Sequence, residues 1–401
     1  MQFLSNQKRR RLIWILPGLL FLGIVCYAVA NLIVNSIDYH NNDFFTFWLA
    51  GHMVIQGGDP YSPTQWVAGH HEFGVTWIPN QAYVYPLPLS LLFAPLGLLS
   101  LYQAYIVWVA LSILMILAAL ILLLGTQAGS GRVAIPLVTG IIFFRPTILT
   151  LFNGQISGWI LLLLTITAYL WEKGKWEWGS LVLPLLMLKP NLGAPLVLLL
   201  GLWLLVKKRY QAILAMAFMG MILLVIGFLQ NPHWVSDYWS IGNTKLAETF
   251  GGSPTVWGLA ALISHNQITA TLIIGSLAGL IILFGFFHAC LPGRTALRPL
   301  SVLALAVCVT LLVTPYTWTY DQLLLVLPLT TVILAMDRLG VRFPLTAIVF
   351  LGIDLLVVIL LFFDVLLQVE ILNVLIPLVV FCLCLWGLPR GVPAATREIT
   401  S

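Results

Sequence analysis

The sequence has few charged residues. Only 8% of its 401 residues are Asp, Glu, Lys or Arg, whereas about a quarter of a typical soluble domain is charged. Hydrophobic residues make up 60% of the chain. This composition excludes a water-soluble globule and predicts an all-α polytopic membrane protein. About twelve helices of about twenty residues each would leave no room for a soluble catalytic domain, so residues 1–401 are expected to form a single integral membrane domain.

Motifs of the common soluble enzymes are lacking. The five cysteines lie in or beside apolar runs, with neither a disulfide framework nor a zinc-ligand spacing. No Walker A, GxGxxG or HExxH motif occurs in its required context. His70, His71 and Glu72 carry atoms that bind metals, but their spacing does not require one. We therefore expect no metal and no other cofactor. The net charge of +5 is attributed to the preference of Lys and Arg for cytoplasmic loops, so no nucleic-acid partner is expected.

Apolar runs provide twelve candidate membrane spans. The first, Leu12 to Val34, follows a cluster of Lys and Arg and has 23 residues. That length is more typical of a retained anchor than of a cleaved signal peptide. The other runs lie near 101–124, 133–151, 156–171, 179–188, 192–206, 211–229, 267–288, 299–315, 322–336, 343–363 and 371–388.

Two topologies fit these runs. If Tyr85–Ser100 crosses the membrane and 179–206 is one helix, Arg132, Lys173 and Lys175 lie outside, against the cytoplasmic preference of Lys and Arg in short loops. If Tyr85–Ser100 lies along the outer interface and 179–206 is a pair of helices, sixteen of the nineteen cations face the cytoplasm. The second topology is favoured.

The favoured topology places the pair's turn at Lys189-Pro190-Asn191 and predicts a multi-pass protein of the plasma (inner) membrane. Both termini, 1–11 and 389–401, would be cytoplasmic. Residues 35–100 form a first outer loop without Lys or Arg, and residues 230–266 form a second outer loop. Polar stretches at Asn153–Gln155, Lys189–Asn191 and Pro315–Asp321 would face the same side, so the active site is expected on the outer face.

Asp43 is the carboxylate of greatest interest. It opens the aromatic run Phe44–Ala50, which is typical of a short helix at the membrane interface. A carboxylate beside aromatic walls can act as a general base. The structural alternative is an N-cap, a role for which Asp is favoured. Asp59, which precedes Pro60, is expected to form a turn.

Three cations remain on or near the outer side, namely Arg145, Lys189 and Lys245. Arg and Lys together suit a lipid-linked phosphate near the interface, so an anion-binding site is one interpretation. An internal ion pair is the alternative for Arg145, and Lys189 at a helix end can extend to the interface. The simpler interpretation of Lys245 is a solvated side chain.

Several short motifs together resemble glycosyltransferase family 87, the polyprenol-phosphate-dependent enzymes of the GT-C fold. The motifs are Asn42–Gly51 with Gly58-Asp59-Pro60-Tyr61, Tyr85-Pro86-Leu87-Pro88 with Ala94-Pro95-Leu96, Gly154-Gln155, Lys189-Pro190, and Thr314-Pro315-Tyr316 with Tyr320-Asp321. The resemblance covers most of the chain. It implies a GT-C fold of about twelve transmembrane helices, with interfacial helices in the first outer loop.

The resemblance further implies an inverting transfer of a sugar, with mannose as the first expectation, from a polyprenyl phosphate to a lipid or glycan acceptor of the cell envelope. Asp43 would be the base, and Arg145 and Lys189 would stabilise the departing phosphate. Further substrate-binding residues would be Gln155, Tyr61, Tyr85, Tyr320, Asp321 and Lys245. Mannosyltransferase members of the family carry a His pair where this chain has Tyr320-Asp321, so the resemblance implies sugar transfer more directly than it implies mannose.

Two other functions are open on the sequence alone. A transporter or flippase of a lipid-linked sugar could use the same intramembrane charges, although the chain shows no pair of related halves with matched broken helices. A non-catalytic subunit of an envelope assembly is the other alternative. Membrane lipids are partners in each case.

Overall fold

The computed structural model describes residues 6–76, 78–126, 131–290, 297–338, 343–367 and 370–387. Within them the chain forms eighteen α-helices and three 3-10 helices, without a β-strand. The predicted all-α class is confirmed. The α-helices are α1 (Asn6–Asn35), α2 (Asp43–Ile55), α3 (Pro63–Glu72), α4 (Leu87–Gly97), α5 (Leu101–Gly125), α6 (Gly131–Phe143), α7 (Arg145–Phe152), α8 (Ser157–Glu172), α9 (Trp176–Val182), α10 (Pro190–Val206), α11 (Tyr210–Gln230), α12 (Trp234–Thr249), α13 (Val256–Ile263), α14 (Ile268–Cys290), α15 (Pro299–Val313), α16 (Val326–Arg338), α17 (Phe343–Leu367) and α18 (Leu375–Gly387). The 3-10 helices span Leu183–Leu188, Thr319–Leu325 and Ile371–Val374.

Long apolar helices identify the protein as membrane-embedded. Among the described residues, five helical segments are long and apolar enough to span a bilayer: Gly18–Asn35, Leu101–Gly125, Tyr210–Gln230, Ile268–Cys290 and Thr319–Asp337. In α11 only Ala212 and Gly227 are buried. The other residues of α11 are mostly apolar and are not buried in the protein, which suits contact with lipid tails. The total of about twelve spans stays a prediction, because the other apolar helices are shorter.

The predicted run 133–151 is two helices rather than one. Helix α6 ends at Phe143, Phe144 is extended with ψ 114°, and α7 begins at Arg145. Pro146 lies in the first turn of α7, where its missing N–H leaves no hydrogen bond unmade. The break therefore follows from the proline, and it places Arg145 at a helix start.

The predicted pair of helices within 179–206 is confirmed. Lys189 is non-helical, with φ −125° and ψ 83°, between the 3-10 helix Leu183–Leu188 and α10. The Trp176 and Trp203 rings, at the two ends remote from Lys189, lie 5.9 Å apart. The two segments are therefore antiparallel, and Lys189 is at their turn.

The segment Tyr85–Ser100 contains a short helix that packs on α2. Helix α4 has 11 residues, so it is about 16 Å long, about half the thickness of a bilayer core. A Cβ at Gly51 would lie 2.6 Å from the Phe93 backbone, and one at Gly97 would lie 2.6 Å from the His52 backbone. Glycine thus permits close packing of α2 on α4, and α4 is too short to cross a membrane alone.

His70, in α3, is predicted to make the stability of the protein sensitive to acid. The ring is 1% exposed and its Nδ1 lies 2.9 Å from the Trp66 carbonyl oxygen. Burial lowers the pKa of His70, so the unfolded chain binds this proton at a higher pH than the folded chain. The contribution of neutral His70 to the free energy of unfolding is therefore complete at neutral pH. It decreases as the pH falls from about 6.5 toward the lowered pKa.

We expect the thermal unfolding temperature of the detergent-solubilised protein to fall between pH 7.5 and 5, and His70→Asn to reduce this fall. Asn can still donate to the Trp66 carbonyl but does not titrate. The neighbouring His71 is exposed, and His71→Asn is the matched control. An equal acid-induced fall in His70→Asn and wild type would show that another group is responsible.

Candidate active site

Asp43 is the first residue of α2. The N-cap is Asn42, whose Oδ1 accepts from the Phe44 amide at 3.2 Å. Asn42 is fixed in turn by its own Nδ2, which donates to the Phe152 carbonyl, and by the Tyr105 hydroxyl, which donates to Oδ1. The alternative role of Asp43 as the N-cap is therefore wrong. A carboxylate in the first turn of a helix is stabilised by the helix dipole.

Gln155 holds one carboxylate oxygen of Asp43. Its Nε2 donates to Asp43 Oδ2 at 2.7 Å, and its side chain is fully buried. The preceding Gly154 has φ +57°, a left-handed conformation that glycine adopts without strain. This turn points the Gln155 side chain toward Asp43, which begins α2 and is 112 residues away in sequence.

Gly154→Ala is expected to destabilise the protein and to slow its reaction. The new Cβ would lie 2.6 Å from Phe44 Cβ and 2.7 Å from Tyr105 Cε2, and it would also incur about 1–2 kcal/mol of left-handed strain. Gly57 has φ +75°, and a Cβ added there would have no atom within 4 Å, so Gly57→Ala incurs strain alone. Chemical denaturation should give a larger loss for Gly154→Ala, and equal losses would contradict the predicted clash.

Lys189 and Asp321 form a buried ion pair behind Gln155. Lys189 Nζ lies 2.5 Å from Asp321 Oδ1 and donates to Gln155 Oε1 at 3.1 Å. Lys189 is 2% exposed and Asp321 is fully buried. Asp321 also accepts from Ser157 Oγ, Thr317 Oγ1 and the Trp318 amide. Such a carboxylate has little capacity for a further ligand, so its evident role is to hold Lys189.

The three contacts form a continuous chain from Asp43 through Gln155 and Lys189 to Asp321. The side-chain amide of Gln155 donates to the Asp43 carboxylate and accepts from the Lys189 ammonium, which fixes the orientation of the amide. The Lys189 ammonium also lies 4.8 Å from the centre of the Tyr320 ring, within the range of a cation–π interaction. A carboxylate and an ammonium are thus held in fixed positions on one site.

Asp43 and Lys189 line a common cavity of about 310 Å³, which we call the polar cavity. Its other lining residues are Thr46, Pro79, Asn80, Val84, Tyr85, Asn191, Tyr316, Trp318 and Tyr320. The predicted proximity of segment 35–100 to residues 189–191 and 315–321 is confirmed. Burial, followed by the nearby Asp43 charge, raises the pKa of Tyr85, and burial raises that of Tyr316. Both hydroxyls therefore stay protonated at neutral pH and can donate hydrogen bonds.

A second cavity of about 510 Å³ adjoins the first, and we call it the apolar cavity. Both cavities are lined by Val84, Asn191 and Tyr316. The remaining lining includes Leu198, Leu199 and Leu283, together with Tyr238 and Trp239 of α12. The site therefore combines a polar compartment that contains a carboxylate and a cation with a larger apolar one, as an amphiphilic ligand would require.

Arg145 does not line either cavity. Its Nη1 lies 2.7 Å from Asp364 Oδ2 in α17, and Asp364 also accepts from Asn373 Nδ2 at 2.8 Å. The structure favours the alternative of an internal ion pair for Arg145. A lone Arg in an apolar run indicates a partner, but the run does not reveal that the partner is 219 residues away.

The remaining predicted site residues differ in their placement. Tyr61 is 5% exposed and its hydroxyl donates to the Tyr85 carbonyl at 2.7 Å, so it supports the cavity wall rather than lining it. Asp59 accepts from the Tyr61 amide, which confirms its turn role. The side chain of Lys245 lies outside the described residues. In the part of the chain that the structure describes, no group of three or more His, Cys, Asp or Glu side chains could hold a metal ion.

Several site residues were not predicted from the sequence. Ser157, which binds Asp321, and Asn80 of the polar cavity belong to no motif. Thr46 and Thr317 lie within Asn42–Gly51 and Pro315–Asp321, but no role was predicted for them. Trp318 and Asn191 lie within the polar stretches that the sequence placed on the outer side. Their position next to Lys189-Pro190 and Tyr320-Asp321 is the signal that could have identified them.

Comparison with known proteins gives one match that covers more than half of the chain. The family model described as glycosyltransferase family 87 matches residues 83–315, a range that contains Gln155 and Lys189. A segment of 102 residues is 32% identical to dipeptide and tripeptide permease A of Citrobacter koseri. That alignment covers 24% of this chain and only 20% of the permease. No solved structure matches the chain.

Proposed function

The chain belongs to glycosyltransferase family 87, and we propose that it moves a sugar, with mannose as the first candidate, from a polyprenyl phosphate to a hydroxyl of a lipid or glycan acceptor. The observation that carries this proposal is the pair of adjoining cavities. A sugar phosphate fits the polar cavity beside Asp43 and Lys189, and an isoprenoid chain fits the apolar cavity. In the proposed orientation both open on the outer face of the plasma membrane.

The proposed chemistry is a single displacement with inversion. The acceptor hydroxyl attacks the anomeric carbon, the bond from that carbon to the phosphate oxygen breaks, and the hydroxyl proton passes to Asp43. General-base assistance of this kind contributes about 10²- to 10⁴-fold to a rate. Gln155 Nε2 donates to Oδ2 of Asp43, and this bond fixes the orientation of the carboxylate in the polar cavity.

Lys189 is proposed to stabilise the leaving group. The donor is a phosphate diester with one negative charge. When its bond to the anomeric carbon breaks, the electron pair stays on the phosphate oxygen, so the released monoester carries a second negative charge, which is protonated only below about pH 6. A fixed cation beside the developing charge lowers the barrier without reorganisation. Asp321 positions Lys189 for this role, and the Tyr85 and Tyr316 hydroxyls can donate to the phosphate or to the sugar.

The test is a donor panel in liposomes. Purified protein is supplied with labelled polyprenyl-phosphate sugars on the side proposed to be outer, together with envelope acceptors, and both the released polyprenyl phosphate and the glycosylated product are measured. Equal amounts of the two would support the proposal and identify the sugar. Intact donor in every mixture would oppose it.

Transport of a lipid-linked sugar is the second candidate, and the short similarity to a peptide permease is the observation that favours it. The same liposomes separate the two functions. A transporter would move the donor between leaflets and leave its sugar–phosphate bond intact, whereas a transferase consumes that bond.

A further inference from the structure

An apolar groove lies at the surface between α8, α9 and α11, at the end of the helical pair remote from Lys189. It has a volume of about 340 Å³ and is lined by Leu170, Leu181, Leu185 and Met219, with Lys175 and Trp178. It shares no lining residue with the polar or the apolar cavity. The proposed reaction therefore does not account for it.

The groove has the depth of one lipid leaflet. Lys175 precedes α9, and Leu185 lies ten residues further along the same helical segment. At 1.5 Å per residue this is about 15 Å, which is half of a hydrocarbon core of about 30 Å. Met219 is at a similar depth, nine residues into α11, which begins at Tyr210 at the same end.

Cations are concentrated at the Lys175 end. Lys173 and Lys175 are exposed in the loop before α9, and the next loop carries Lys207, Lys208 and Arg209. The two loops adjoin, because the Arg209 guanidinium lies 4.6 Å from the centre of the Trp176 ring. The local charge is therefore strongly positive.

Two carboxylates of this region do not cancel that charge. Glu172 is already bound by the Arg298 guanidinium and by the Leu300 amide. Glu177 is exposed and offsets only one of the five cations. A preference of Lys and Arg for cytoplasmic loops explains cations at this end, but it does not explain an apolar groove that begins at Lys175.

We propose that this groove binds an anionic phospholipid, with its phosphate at Lys175 and the neighbouring cations and one acyl chain along Leu181, Leu185 and Met219. Trp178 is 64% exposed at the mouth, where an indole ring suits the headgroup level. Charge complementarity selects an anionic headgroup over a zwitterionic one, since the latter carries a cation of its own. In the orientation proposed above this lipid belongs to the cytoplasmic leaflet, although the binding argument does not depend on the orientation.

The test is native mass spectrometry of the full-length protein in detergent with equal concentrations of phosphatidylglycerol and phosphatidylcholine. Each cation near the headgroup contributes about a fivefold preference, so the wild type should retain phosphatidylglycerol at least about fivefold more often. Lys175→Gln should lower that preference by about fivefold. Lys175→Arg, which keeps the charge, should leave it unchanged.

Met219→Trp supplies an independent readout because it fills the groove without altering charge. It should reduce the number of phosphatidylglycerol molecules retained by the protein, whereas Met221→Trp, at an exposed position on the same helix, should not. Equal retention of the two lipids by wild type would overturn the proposal. Retention by Met219→Trp equal to that of wild type would overturn the assignment to this groove.

Discussion

Asp43→Asn is expected to lower the rate of sugar transfer by about 10²- to 10⁴-fold, the usual contribution of a general base. Asn has nearly the same size, and its Oδ1 can still accept from Gln155 Nε2, so the geometry of the site should persist. What is lost is the ability to take up the acceptor's proton. Donor binding should change little, because the proposed contacts to the phosphate come from Lys189 and the tyrosines.

The matched control is Asp59→Asn. Asp59 lies in the same loop, and its Oδ1 accepts from the Tyr61 amide, a bond that Asn can also accept. We expect near wild-type turnover from this variant. The measurement is single-turnover transfer with saturating donor, which separates the chemical step from binding. A wild-type rate in Asp43→Asn would contradict the assigned base.

Lys189→Met is expected to remove most activity and also to destabilise the fold. The substitution leaves Asp321 buried without its cation, and removing one partner of a buried ion pair typically costs about 3–5 kcal/mol. It also removes the donor to Gln155 Oε1, which loosens the amide that holds Asp43. Loss of activity alone would therefore be ambiguous, because an unstable enzyme is also inactive.

The double variant Lys189→Met/Asp321→Asn separates the two effects. Replacing both members of a buried pair is often close to neutral, and Asn can still accept from the Trp318 amide or from Thr317. We expect the double variant to recover most of the lost free energy of unfolding but not the transfer rate. Recovery of both would show that Lys189 is structural and would remove it from the proposed chemistry.

The sequence predicted which side chains form the site better than it predicted which of them contact one another. Asp43, Lys189 and Asp321 stand out because ionisable residues beside apolar runs are rare and functionally suspect, whereas Gln155 stands out through the resemblance to the family. The structure joins the four side chains in one chain of contacts. The charge distribution also selected the helical pair that turns at Lys189. Local motifs and loop charges were sufficient for these predictions because both are properties of short segments.

Contacts between distant segments were not predictable from the sequence. It suggests a phosphate or an internal partner for Arg145, and the structure pairs Arg145 with Asp364. It suggests a substrate contact for Asp321, and the structure shows Asp321 bound to Lys189. Both assignments depend on which charges meet across the bundle, and one sequence does not specify that pairing. The sequence analysis considered Asp43 alone as the N-cap, although Asn is an equally good cap, and the backbone geometry identifies Asn42.

A single displacement inverts the anomeric carbon, so the anomeric configuration of the product tests the proposed reaction. Purified protein in liposomes is given one labelled polyprenyl-phosphate sugar and an envelope acceptor, and the linkage in the product is determined by NMR, with Asp43→Asn run in parallel. The account predicts a product whose anomeric configuration is opposite to that of the donor, formed by wild type and not by Asp43→Asn. Retention of configuration, or equal product from both proteins, would contradict it.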